Sequence, residues 1–330
     1  MKNNRLMSGI LLIAFFTLAT CVSAMGGEIK IALDTPRNLE VSGTYVWAKT
    51  FSDYLTEKGM NPKMYDRDAL GGEEEKLDQV CQGLLEISCS DVAKAGQLSP
   101  SVFGFYMPFM FDSMMHLDKV VSNTKLLANI NKDLGKRGAR ILALVPLGGF
   151  VGIINTKKTI KTPSDMKGLR FRALDNKQAA WLNAWGANSV IIPWPEIYNS
   201  LQTGVVDGYL NVSIVPVMFK HTEVVKYFSD VGLAAPLRII LCSQKWYAGL
   251  NNTEKSTVDQ AVVKANAANR TWQSKNEIAG LAALKKGGVE VYKNSPEEIA
   301  MFAGLVKSQY NEMMDSVIVK QFVTAADANR

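Results

Sequence analysis

Short period-two apolar runs alternate with amphipathic segments along this chain, and that alternation restricts the fold more than any other feature. Ile29, Ile31 and Leu33 alternate with Lys30 and Ala32, the pattern of a strand. Trp47, Phe51, Tyr54 and Leu55 then fall on one helical face, and Gly59 is placed to stop that helix. Residues 63–65 read as a second strand. Leu70-Gly71-Gly72 turns into a helix opened by Glu73, Glu74 and Glu75, a solvated acidic start suited to the positive helix end. Leu77, Val80 and Cys81 give this helix an inner face, Gly83 closes it, and residues 85–90 form a third strand. Strands joined by crossover helices run parallel, so the order predicts an α/β layer.

The middle of the chain repeats the theme. Residues 141–145 and 151–155 read as strands, and Leu169, Phe171 and Ala173 share one strand face while Arg170 and Arg172 share the other. A helix around 178–185 ends at Gly186, residues 190–192 form another strand, and Pro195 opens a helix carrying Ile197, Tyr198 and Leu201. Residues 205–211 return as a strand broken by Asp207-Gly208. Thr253 is placed to cap a long helix over 254–284, residues 289–292 form a short strand, and Ser295 caps a final helix with Ile299, Phe302, Leu305, Val306 and Tyr310 inward. The economical architecture is two α/β lobes braced by a helical C-terminal segment.

One apolar run stands apart. Lys2 and Arg5 precede an apolar stretch over 6–19, and Val22-Ser23-Ala24 supplies small residues before Met25. That order is a secretory signal peptide over 1–24, the alternative being an uncleaved anchor. Leu18-Ala19-Thr20-Cys21 also resembles a lipidation site. Cleavage removes two basic residues and no acids, so the formal charge falls from +6 to 6 − 2 = +4. The basic residues are scattered, which argues against nucleic acid as a partner. Export permits a disulfide, with Cys81 and Cys89 the nearest pair. The other reading buries Cys81, Cys89 and Cys242 as small apolar side chains.

Little in the chain suits catalysis. The two histidines, His116 and His221, read as surface or capping residues rather than bases, and the glycine pairs match no phosphate-binding loop. No cysteine or histidine spacing suits a metal, and no cofactor is expected. Arg172 is the more telling residue. On a central strand of an apolar lobe it needs a partner, because a buried unpaired charge is costly, and its planar fork suits a carboxylate. An internal salt bridge or plain exposure are the other readings.

Three ordered segments carry a resemblance. They are Asp165-Met166-Lys167-Gly168-Leu169-Arg170-Phe171-Arg172, then Trp185-Gly186-Ala187, then the run from Pro195-Glu196-Ile197-Tyr198 through Gln202-Thr203-Gly204 to Asp207-Gly208. Together they resemble the signature of DctP-type solute-binding proteins, which serve tripartite ATP-independent periplasmic (TRAP) transporters. Leu70-Gly71-Gly72 with Gln79-Val80 and Gly83, and Met107-Pro108-Phe109-Met110-Phe111, resemble the family's N-terminal landmarks in the same order.

The resemblance implies a two-lobed periplasmic-binding-protein clamp of the α/β class. Lobe 1 would span 25–150 with a returning segment near 237–250, lobe 2 would span 151–236, and 251–330 would pack across both. It implies a periplasmic binding component rather than an enzyme, with TRAP permease subunits as partners. A receptor feeding a signalling system, or an exported organic-acid enzyme, are the rival readings. Arg172 matches the family arginine that binds the ligand carboxylate, and Asn211 matches the polar residue after the Asp-Gly turn. Trp194 stands where the family often has a cleft aromatic, with core packing as the alternative. Some sialic-acid-type members carry a second arginine near the position of Phe150-Val151-Gly152, and this chain has none. A highly polar sugar acid is therefore less expected, and Trp194, Tyr209 and Phe150 would suit a small organic anion, a carboxylate bearing an apolar or aromatic body. Ser90 and Asp91, with Ser88, end a lobe 1 strand and are expected on the opposite wall.

Overall fold

A computed structural model describes residues 27–330. The expected leader over 1–24, with Cys21, lies outside the described residues. Eleven strands are present among them: β1 Ile29–Ala32, β2 Pro62–Tyr65, β3 Ile87–Asp91, β4 Ala139–Pro146, β5 Gly152–Asn155, β6 Arg170–Ala173, β7 Asn188–Ile191, β8 Gly208–Asn211, β9 Tyr227–Asp230, β10 Leu237–Ser243 and β11 Glu290–Lys293.

They form two mixed sheets flanked by helices. The five-stranded sheet has the order β2-β1-β3-β10-β4, and the six-stranded sheet the order β11-β9-β5-β8-β6-β7. In the first, β1 pairs in parallel with β2 and β3, as the crossover helices require. β10 enters antiparallel between β3 and β4, with Arg238 opposite Asp91. In the second, β6 runs parallel to β7 and β8, placing Arg172 beside Val190 and Tyr209.

The helices follow from local signals. Ser42 caps Gly43–Glu57 by accepting from the Tyr45 amide at 3.0 Å, and Trp47, Phe51 and Leu55 bury one face of that helix on the first sheet. Glu73–Gln82 ends at Gly83, whose φ of 76° is a left-handed conformation that glycine adopts without strain. The long helix runs from Asn252 to Lys286, and its cap is Asn251 rather than Thr253. The Asn251 side chain and Glu254 form a reciprocal capping box, which Thr253, already inside the first turn, is not placed to make.

The C-terminus departs further from expectation. Ser295 caps Pro296–Lys307, with Phe302 and Val306 buried but Leu305 exposed. Tyr310 belongs to a separate short helix, and Ser316–Asp327 follows, packing Phe322 edge-on against Phe105. Cys81, Cys89 and Cys242 are free thiols. Burial pushes the Cys89 thiol well up and that of Cys242 to about 12, so both behave as inert apolar groups. No helix among the described residues is long and apolar enough to cross a membrane.

Candidate ligand-binding site

The two arginines of β6 have opposite fates. Arg170 is half-exposed and grips Asp207, with Nη2 3.2 Å from Oδ1 and its backbone amide 2.8 Å from Oδ2. Burial works to raise the Asp207 carboxyl, but these hydrogen bonds and the Arg170 charge hold it below the ordinary range. Arg170 and Asp207 thus pin β6 to the turn before β8.

Arg172 is 5% exposed and has no carboxylate partner among the described residues. Its Nε donates to the Ile192 carbonyl at 2.9 Å, and its guanidinium carbon lies 5.9 Å from the centre of the Trp194 ring. Burial lowers its pKa, and the Asp175 carboxylate opposes that shift. One edge of a planar cation is therefore fixed while the Nη edge is uncommitted, the arrangement a carboxylate fills with two parallel hydrogen bonds.

Trp194 is half-buried and does two things. It meets Arg172, and its ring packs edge-on against Phe219 at 5.0 Å and Tyr209 at 5.9 Å. Tyr209 itself is 0% exposed, and its hydroxyl is 2.8 Å from His221 Nδ1. That corrects its expected place in the cleft: it shares a sheet face with Asn211, but its polar tip is spent inside the core. His221, expected at the surface, is buried and held neutral by desolvation. His116 is also buried, with Nε2 2.9 Å from the Ala326 carbonyl and Nδ1 accepting from the Asp112 amide. Tyr209→Phe is expected to keep ligand affinity within about twofold while losing about 1 kcal/mol of stability, read by calorimetry and urea unfolding. A large affinity loss would return Tyr209 to the site.

Asn211 ends β8 half-buried, its Oδ1 accepting from the Val212 amide at 2.9 Å. Phe150 lines a separate cavity of about 690 Å³, between the helix Met114–Asn123 and the long helix. It therefore leaves the group around Arg172. Ser90 is fully buried, its hydroxyl 2.9 Å from that of Ser88, so these two belong to the core of β3 rather than to a wall. Asp91 does reach the cleft. The case for an apolar ligand body then rests on Trp194 alone.

A cleft of about 490 Å³ runs between the first sheet and the residues following β6, Leu174 and Asp175. Asp34 follows β1 and Asp91 ends β3, so both acids stand at the carboxyl ends of parallel strands, where α/β sheets gather ligands. Between them lies Arg238, its Nε donating to Asp34 Oδ2 and its Nη1 to Asp91 Oδ2. Burial alone would lower the Arg238 pKa; the two acids outweigh it and secure the charge. Behind Asp91, Glu73 accepts from the Asp91 amide at 2.8 Å and is paired at 3.1 Å with the ammonium of Lys76, which is 1% exposed. Glu73 is thus part of the cleft wall rather than a freely solvated helix start. Tyr106 joins the two sides, within electrostatic reach of both Arg172 and Asp91 and with its hydroxyl 3.4 Å from Gln178 Nε2.

Pattern reading passed over Asp34, Glu73, Lys76, Tyr106 and Arg238. For Asp34 and Arg238 a positional signal exists, an acid just past a strand end and one arginine inside the otherwise apolar run of β10; Glu73, Lys76 and Tyr106 carry none.

The family model for DctP, described as bacterial extracellular solute-binding protein family 7, matches residues 33–316. The chain belongs to that family. Among DctP relatives, the C4-dicarboxylate-binding periplasmic protein of Rhodobacter capsulatus is 25% identical over 96% of each chain. A TRAP periplasmic solute-binding protein from Ochrobactrum anthropi, with its C-terminus bound in the ligand-binding pocket, superposes with a TM-score of 0.82 at 25% identity, covering 91% of this chain and 95% of its own. One from Polaromonas, bound to D-erythronate, gives 0.76 at 25% identity, covering 92% and 99%. As a DctP-family member the chain is a solute-binding protein with the two-lobed α/β fold.

Proposed function

We propose that this chain is the periplasmic binding component of a TRAP transporter, capturing a small organic acid between its lobes and passing it unchanged to a membrane permease. The observation that carries this reading is Arg172: a buried guanidinium, oriented by the Ile192 carbonyl, with no carboxylate in salt-bridge contact among the described residues. A buried charge left that way is costly unless a partner arrives from outside. The Rhodobacter relative is named for C4-dicarboxylates and the Polaromonas structure holds D-erythronate, both acids.

In this reading residues 25–150 and the return near 237–250 make the first lobe, 151–236 the second, and 251–330 the brace. The strand distribution supports the division, with β1 to β4 and β10 in one sheet and β5 to β9 in the other. β11 adds to the second sheet, so the brace is tied to that lobe by a strand as well as by helices. The carboxylate pairs with Arg172, Asn211 and Trp194 flank it, and Asp91 approaches from the first lobe. Closing the lobes around the ligand stabilises the liganded form.

Denaturing the purified protein and identifying the released small molecules by mass spectrometry tests this. A stoichiometric carboxylic acid, recovered unchanged after incubation, is the expected result. A bound molecule lacking a carboxylate, or turnover of the acid, would refute it.

A further inference from the structure

We propose that the Asp34–Arg238–Asp91 wall of the cleft recognises a hydroxyl group at the far end of the bound acid and disfavours a second carboxylate. The ligand is then a hydroxylated monocarboxylic acid. This rests on the reading of Arg172 as the carboxylate anchor.

The charge of the wall is the first argument. Asp34, Glu73 and Asp91 stand with Lys76 and Arg238. The whole cleft lining, with Asp68, Asp175, Arg67 and Lys94 added, sets five carboxylates against four cations and leaves one net negative charge in a cleft whose other side, Leu174 and Asp175, follows Arg172 in the chain. A dicarboxylate seated on Arg172 would bring its second anion toward that excess. Arg238 offers it little relief, because its charge is shared by two acids at hydrogen-bond distance.

The second argument is an orphaned atom. Asp34 is 8% exposed; its Oδ2 accepts from Arg238, and its Oδ1 is buried with no partner. A buried carboxylate oxygen without a donor is expensive, and this one belongs to a residue lining the cleft. Beside it, Arg238 commits Nε and Nη1 to the two acids and leaves Nη2 uncommitted. The ion-pair cluster thus holds one unpaired acceptor and one unpaired donor. A hydroxyl satisfies both, donating to Asp34 Oδ1 and accepting from Arg238 Nη2. An ammonium satisfies only the acceptor, a second carboxylate only the donor, and an alkyl end neither.

Two matched sets of acids test the assignment by calorimetry: D-erythronate, butyrate and succinate with four carbons, and D-gluconate, hexanoate and adipate with six. The hydroxylated acid is expected to bind at least about tenfold tighter than both partners in at least one set. In Asp34→Asn, which removes the negative charge, its advantage over the dicarboxylate should shrink severalfold, whereas Arg172→Lys should weaken whichever acids bind without reordering them. If Asp34→Asn fails to fold, the ranking in the unaltered protein decides alone. A dicarboxylate or alkyl acid binding as tightly as the hydroxylated one in both sets overturns this inference and leaves the Arg172 reading standing. So does a folded Asp34→Asn with an unchanged ratio. Failure of all six acids to bind overturns both.

Discussion

Arg172→Lys is expected to weaken acid binding by roughly 30- to 1000-fold, about 2–4 kcal/mol, and Arg172→Met to abolish it. An ammonium is a point charge and cannot present two parallel N–H groups to a carboxylate while also bonding the Ile192 carbonyl, as the guanidinium does. The methionine variant carries a second, opposite expectation. Burial disfavours the charged form of Arg172 in the folded protein. A base whose folded pKa lies below its unfolded value opposes folding while protonated. Arginine stays protonated across the accessible pH range, so this cost is present throughout and gives no titration. Arg172→Met should therefore leave the ligand-free melting temperature unchanged or raised, and remove the rise that saturating acid produces in the parent. Calorimetry with thermal unfolding reads both. A variant that melts much earlier yet binds normally would make Arg172 a structural residue and end the proposal.

What pattern reading could reach follows from how local each signal is. The strands up to residue 211, and the helices between them apart from those over 92–135, were legible because period-two and helical-face patterns are written in consecutive residues, and Arg172 was reached through its alternation with Phe171 and Ala173. Tyr209 was placed within a strand by the same rule. Its partner His221 lies on a separate turn, and no periodicity says that the two meet. Phe150 sits in the connection between β4 and β5, where no regular element dictates its direction. β10 was the costly gap. Its side chains are buried along most of its length, so alternation is lost and a short apolar run cannot be told from a helix segment. Arg238 was hidden with it. Only insertion of this strand antiparallel beside β3 brings Arg238 opposite Asp91, a pairing across 147 residues.

That long-range pairing has its own energetic consequence. Arg238→Met is expected to destabilise the protein by about 3–5 kcal/mol at neutral pH, because it strips the shared cation from two acids and leaves both desolvated. Asp34 is nearly buried and Asp91 partly so, which places the Asp34 side as the larger part of the loss. The pH dependence supplies the discriminating sign. In the variant the two carboxylates face one another across the space the guanidinium filled, and protonating either relieves both repulsion and desolvation. The folded state then binds protons more readily than the unfolded chain, so the stability deficit relative to the parent must narrow as pH falls from 7.5 toward 5. Urea unfolding of parent and variant at the two pH values measures this difference directly. Lost packing alone would give a deficit independent of pH, since methionine replaces much of the arginine stem. A deficit that is constant, or that widens on acidification, would mean Arg238 is not the cation that holds Asp34 and Asp91 together, and the charged wall of the cleft would lose its physical basis.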